Sequence, residues 1–261
     1  MDMIAAGRSD VGMIRSGNED SWHLDVTKER GLFIVADGMG GHAAGEVASE
    51  MAVQIVKREL QELRELHGEA VREKVAESIR MANRAIYDRT IAESDKQGMG
   101  TTVSLIMLAG ARYLIGQVGD SRVYMLRDGA LRQLTKDHSY VQEQVDAGLL
   151  TPEQARYHPY SNVITRCVGA GEEVEPDTFT GEVRKGDVYL VASDGLTGMV
   201  DDRRLQQLLL SRASAGRVVD ALIAEANYRG GLDNITAIVV QVTAVDSVSS
   251  DEPTDEAPAL V

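Results

Sequence analysis

The chain has 261 residues, 43% of them hydrophobic, enough for one large core or two small ones. It carries 41 Asp and Glu against 27 Lys and Arg, net −14, so nucleic acid and anionic lipid are poor partners for its surface. A single cysteine, Cys167, leaves no intramolecular disulfide and no thiolate zinc cage, and its mostly apolar neighbours read it as a packing residue.

In chain order, residues 3–7, 21–26 and 31–37 read as strands. The last carries Leu32-Phe33-Ile34-Val35-Ala36 into a glycine-rich turn. From 43 to about 66 the period changes: Val47, Met51, Ile55 and Leu63 fall at helical spacing. A second amphipathic helix is expected over 69–94, so the two form a hairpin around Gly68. Strand pattern returns at 101–108, 112–118, 122–127 and 131–135, with Asp128-Gly129 as a hairpin turn. Residues 136–182 read as irregular, with helical pieces at 140–147 and 152–157 and a surface flap over about 140–182. A strand at 187–193, helices at 202–211 and 215–228, and a strand at 234–242 complete the pattern. Residues 244–261 are acidic, Ser- and Pro-bearing and poor in core residues, and are expected to form a disordered tail. No run has the ~18 apolar residues of a membrane span and no signal pattern opens the chain, so a cytoplasmic protein is expected.

Strands outnumber helices and short turns join them, which predicts mainly antiparallel pairing. The layered solution is an α+β fold, a four-layer α-β-β-α sandwich with two sheets flanked by helix pairs, filling residues 1–243 as one domain.

The chemistry lies in five aspartates, each at the end of an apolar run beside a tight turn: Asp20, Asp37 (in Asp37-Gly38-Met39-Gly40-Gly41-His42), Asp120 (Gly119-Asp120-Ser121-Arg122), Asp194 (Ser193-Asp194-Gly195) and Asp233 (Asp233-Asn234). A carboxylate after a buried strand is costly unless it is hydrogen-bonded or metal-bound. Several together raise one another's pKa unless a divalent cation neutralises them. All-oxygen ligands favour Mg²⁺ or Mn²⁺, and an adjacent glycine lets a backbone carbonyl join them. Two such ions can acidify a shared water and aim it at phosphorus, while Arg15 offers a planar fork for phosphate oxygens. Taken singly, Asp194-Gly195 or Gly119-Asp120 reads as a turn, and Gly186-Asp187 reads as the entry to a strand. A nucleotide-binding loop at 37–42 lacks the Lys-Ser/Thr of a P-loop and the spacing of a dinucleotide fingerprint.

Seven motifs in order give the chain a resemblance to the metal-dependent 2C-type Ser/Thr protein phosphatases (PPM family) in their compact bacterial form. They are Arg15 with Asn18-Glu19-Asp20; Asp37 to His42 with Gly45-Glu46; Gly100-Thr101-Thr102; Gly119 to Arg122; Asp137-His138-Ser139; Ser193-Asp194-Gly195; and Asp233-Asn234-Ile235-Thr236. The resemblance spans residues 4–242. It implies hydrolysis of phosphoserine and phosphothreonine by a water that two Mn²⁺ or Mg²⁺ ions activate. Asp37 would bridge the ions, the Gly38 carbonyl would bind one, and Asp194 and Asp233 would complete the other. Asp20 would bond water on the ions, Arg15 would hold the substrate phosphate, and Asp120 would help hold a weaker third ion.

Some eukaryotic relatives carry a histidine directly after the Asp-Gly; here that place is Met39. His42, three residues on, either helps protonate the leaving group or packs at the helix start, and His138 reads as a structural hydrogen-bonder. The resemblance further implies phosphoprotein substrates, among them a bacterial Ser/Thr kinase and its targets. A monomer is expected, since nothing resembles a coiled-coil seam. The rival readings are a regulatory module that keeps the fold without the chemistry, a small-molecule phosphatase, and a nuclease. Retention of Arg15, Asp20, Asp37, Asp194 and Asp233 together disfavours the first, and the acidic surface disfavours the last.

Overall fold

The computed structural model describes residues 1–40, 44–211 and 213–245. Strand β3 (Arg30–Met39) shows how the layers arise. Leu32 through Ala36 are all fully buried, which a strand achieves only when both of its faces are covered. Its even residues Leu32, Ile34 and Ala36 share one cluster with Leu105, Met107 and Leu114 and with Ala48, Val56, Ile79 and Ile86 of helices α1 (Ala44–Leu60) and α2 (Glu69–Ala92). Its odd residues Phe33 and Val35 point the other way, into a cluster with Ile106, Ile115, Val123, Tyr189, Val191, Ile238 and Val240. The two-residue period of a strand thus separates a helix–sheet core from a sheet–sheet core.

The first sheet runs β2 (Asp20–Val26), β3, β5 (Val103–Ala109), β6 (Arg112–Val118), β9 (Asp177–Glu182), with short β4 (Gly100–Thr101) on the end of β3. The second runs β1 (Asp2–Asp10), β11 (Ile235–Ala244), β10 (Val188–Ala192), β7 (Arg122–Arg127), β8 (Ala130–Gln133). Every pairing is antiparallel. On the outer face of this second sheet, Tyr124, Leu190, Ala192 and Val239 pack against Leu205 and Leu209 of α6 (Asp202–Leu209) and Val218, Leu222 and Ala226 of α7 (Ala215–Tyr228). Three apolar clusters therefore separate four layers, helices–sheet–sheet–helices, and the expected α+β sandwich is what forms.

Three local readings change. The first helix ends at Leu60 rather than near 66; the Leu63 N–H bonds the Leu60 carbonyl at 3.0 Å, and Leu66 is buried from a non-helical link. Residues 177–182, read as irregular, form edge strand β9. Its sequence is polar because an edge strand has one neighbour and needs little apolar surface. Asp187 does more than enter a strand: its carboxylate accepts from Arg127 Nε at 2.8 Å and Nη2 at 2.6 Å, and from the Arg184 N–H at 2.7 Å. Between α3 (Tyr140–Asp146), α4 (Pro152–Arg156) and β9 the chain lies in loops. Most of the expected tail, residues 246–261, lies outside the described residues.

Candidate active site

Antiparallel order brings strand ends together, and five of these ends carry aspartate. Asp20 opens β2 directly across from Asp37 near the end of β3. Asp120 lies between β6 and β7, Asp194 follows β10 as the first residue of α5 (Asp194–Thr197), and Asp233 precedes β11. All five lie at one end of the sandwich. Close backbone approach holds them there: a Cβ on Gly38 would run into the Gly45 carbonyl at the start of α1, and one on Gly195 into the Asn234 carbonyl. Gly119 has φ 102°, and a side chain there would strike Thr102.

The first sheet fixes Asp37 through its backbone. Its N–H donates to Thr102 Oγ1 at 2.9 Å, and its carbonyl accepts from Thr101 Oγ1 and the Thr102 N–H, each at 2.9 Å. Asp20 is held by the second sheet instead. Its Oδ2 accepts from Ser193 Oγ at 2.9 Å and Thr236 Oγ1 at 2.5 Å. Its other oxygen, Oδ1, is buried without a hydrogen-bond partner, as is Oδ1 of Asp194. Beside Asp120, the Gly119 N–H donates to His138 Nδ1 at 3.1 Å and the His138 N–H returns a bond to the Gly119 carbonyl at 2.9 Å. His138 is thus the structural hydrogen-bonder expected. Arg122 holds Asp137 through Nε at 3.0 Å and Nη2 at 2.6 Å.

The electrostatics are those of crowded anions. Burial, then the charges of Asp20, Asp194 and Asp120, pushes the Asp37 carboxyl well above the usual range. Burial raises Asp20 to about 7, with Asp194 and Asp233 adding to it against the Thr236 and Ser193 hydrogen bonds. Asp120 rises to about 8 through burial and the charges of Asp194 and Asp137, which Arg122 only partly offsets. Asp194 is also raised by burial. Arg15 Nη2 donates to Asp233 Oδ2 at 2.8 Å, with its side chain 50% exposed. Burial works against its charge, but Asp233, Glu19 and Asp37 outweigh that and raise its pKa.

Among the described residues no three His, Cys, Asp or Glu side chains close on one point as a finished cage. Asp37 and Asp194 instead lie within hydrogen-bonding reach of each other, which needs a proton on one of them. Two orphaned buried carboxylate oxygens, an all-oxygen donor set and mutually raised pKa values fit a site for hard divalent cations. Asp20, Asp37, Asp120, Asp194, Asp233 and Arg15 are brought together; His42 lies outside the described residues.

A family model for protein phosphatase 2C matches residues 14–225. The chain belongs to the protein phosphatase 2C family. It is a hydrolase of the protein-phosphatase class, and its relatives agree in sequence and in structure. It is 40% identical over 241 residues to the serine/threonine phosphatase stp of Listeria monocytogenes, covering 92% of this chain and 96% of that one. The S. agalactiae serine/threonine phosphatase superposes with a TM-score of 0.86 at 39% identity, over 92% of this chain and 100% of that one. The catalytic domain of the phosphatase PstP in complex with two manganese ions gives 0.81 at 39% identity, over 93% and 99%.

Within this phosphatase, several motif residues had no role assigned from sequence and acquire one in the structure. Asn234 Oδ1 accepts from the Glu19 N–H at 2.8 Å, while its Nδ2 donates to the Val11 and Gly17 carbonyls, each at 2.9 Å. It therefore joins Asp233, the Arg15 loop and the Asp20 strand. Asn18 Nδ2 donates to Ser9 Oγ at 2.8 Å, and Ser9 Oγ lies 2.7 Å from the Thr236 hydroxyl that reaches Asp20. Their signal was adjacency to the aspartates in sequence; what each would bond could be read only once the strand register was known.

Proposed function

We propose that this serine/threonine protein phosphatase hydrolyses phosphoserine and phosphothreonine with two Mn²⁺ or Mg²⁺ ions held by Asp37, the Gly38 carbonyl, Asp194 and Asp233. Asp120 contributes to a weaker third site. The observation that carries this reading is the orphaned Oδ1 of Asp194 amid aspartates from both sheets, an arrangement stable as anions only with a cation among them. The chemistry that a bound divalent pair supplies is acidification of water and neutralisation of charge on the phosphoryl group.

The chain's own residues do the rest. Arg15 stays cationic at the mouth, where its guanidinium exchanges part of its bond to Asp233 for two phosphate oxygens. Asp20, clamped through Oδ2 by Ser193 and Thr236, keeps Oδ1 free to accept a hydrogen bond from the attacking water and orient it. Residues 140–176, ahead of edge strand β9, form the flap that governs access. His42 stands as the candidate for protonating the leaving group, on sequence position alone.

We place its substrates among bacterial phosphoproteins, including a Ser/Thr kinase and its targets, with the chain acting as a cytoplasmic monomer. The bacterial relatives support the setting. In addition, no helix among the described residues is long and apolar enough to cross a membrane.

Calorimetric titration of Asp194→Asn with Mn²⁺ tests the assignment. The variant is expected to lose one high-affinity site and at least about 10²-fold in turnover, the scale on which a single aligned charge-stabilising group is lost. Normal binding and normal turnover would refute the site.

A further inference from the structure

Beside Arg15 the surface changes character. Met13 and Ile14 are each 67% exposed and Leu232 is 57% exposed, three large apolar side chains on the two loops that carry Arg15 and Asp233. Over residues 11–17 and 230–233 the only charged side chains are Arg15 and Asp233, and these pair with each other at 2.8 Å. In a chain of net charge −14, these two loops carry no net charge of their own.

The rim is also stiff. The Met13 N–H donates to the Gly231 carbonyl at 2.8 Å, and Asn234 Nδ2 ties down the carbonyls of Val11 and Gly17 near the two ends of the Arg15 loop. The Gly12 N–H donates to Asp10 Oδ1 at 3.0 Å, and the same oxygen accepts from Asn227 Nδ2 at 3.1 Å. Gly231, at φ 50°, is packed so closely that a Cβ there would lie 2.8 Å from Met13 Cγ. Apolar groups held out to solvent on a rigid frame lose little entropy when something covers them, which is the design of a binding surface rather than of a mobile loop.

Position decides what covers it. A phosphoryl group gripped by Arg15 belongs to a polypeptide whose next residue begins about 3.8 Å along the chain, so the flanking side chains fall within one or two residues of the grip. Met13 and Ile14 are the two residues preceding Arg15, and Leu232 precedes Asp233. We infer that Met13, Ile14 and Leu232 form a docking shoulder for the substrate polypeptide and select an apolar side chain next to the phosphorylated residue. The inference rests on the reading of Arg15 as the phosphate holder. Met13, Ile14 and Leu232 themselves offer an acidic or basic flanking residue no charge to pair with, so the selection acts on hydrophobicity.

The test uses the full chain with Mn²⁺ and three substrates: p-nitrophenyl phosphate, a phosphothreonine peptide with leucine on both sides, and the same peptide with serine on both sides. The wild type is expected to favour the leucine peptide by about tenfold in kcat/KM, the scale of one modest apolar contact. Ile14→Ser with Leu232→Ser should remove most of that preference through KM, leaving p-nitrophenyl phosphate and the serine peptide within about twofold. The unchanged small ester certifies that the variant is folded. Equal rates on both peptides in the wild type, or a variant that loses both peptides alike, would overturn the shoulder. Failure on all three substrates in the wild type would instead overturn the phosphatase reading on which it stands.

Discussion

Arg15 is half exposed, paired with Asp233, and kept cationic by three carboxylates around it. A guanidinium so placed binds a dianion in the ground state and in the transition state alike. Arg15→Ala is therefore expected to raise KM for a phosphate ester about tenfold or more, with kcat reduced by a smaller factor. A loss confined to kcat would mean that the side chain acts only on the reacting atoms. Asp20 stands in contrast: it is buried, with one oxygen doubly bonded by hydroxyls and the other left open. Its environment fixes direction rather than affinity. In the proposed function the two residues, five positions apart in sequence, divide the work between holding the substrate and orienting its attacker.

At the scale of elements, the strands and helices were largely legible because both faces of β3 and one face of each long helix must be apolar. The pattern at Leu32–Ala36, and at Val75, Ile79, Ala82 and Ile86 of α2, states this directly. The aspartates were legible too, since a carboxylate at the end of a buried run needs a reason. Partnership was not. Nothing in Asp233-Asn234 says that the amide will fasten Val11, Gly17 and Glu19, for that depends on β1 pairing with β11 and β2 with β3. Edge strand β9 was illegible for a related reason, its residues being chosen by exposure on one side. Asn234→Ala removes a partner from three backbone groups, and roughly 1–3 kcal/mol of stability is expected to go with them, since water can reach the Val11 and Gly17 carbonyls and each net hydrogen bond is worth about 0.5–1.5 kcal/mol. Urea denaturation reads the loss, and KM should rise together with it as the Arg15 loop is released. Full stability with unchanged KM would show that the clamp is dispensable.

At the scale of the whole molecule, the aspartate cluster makes stability depend on pH and on metal. Asp20 and Asp120 are raised to about 7 and about 8 in the folded state, against about 3.9 for an unfolded Asp. Between roughly pH 4 and 8 the native metal-free protein therefore holds protons that the unfolded chain has released. By linkage, the cluster's contribution to stability declines as pH rises through that window. Divalent ions that take the protons' place should then stabilise more at pH 8 than at pH 5. At 100 times Kd each site is worth about 2.7 kcal/mol, several degrees in Tm for a chain of this size. A Mn²⁺-induced rise in Tm that is equal at both pH values would contradict the linkage.

The central claim, that metal-loaded aspartates at one end of the sandwich hydrolyse phosphoprotein esters, is tested most directly by phosphate release from a phosphothreonine peptide. The purified chain is assayed with Mn²⁺, with Mg²⁺ and with EDTA. Release with either ion that EDTA stops is the predicted result. Equal release in EDTA, or none with either ion from a folded protein that binds metal, would contradict it.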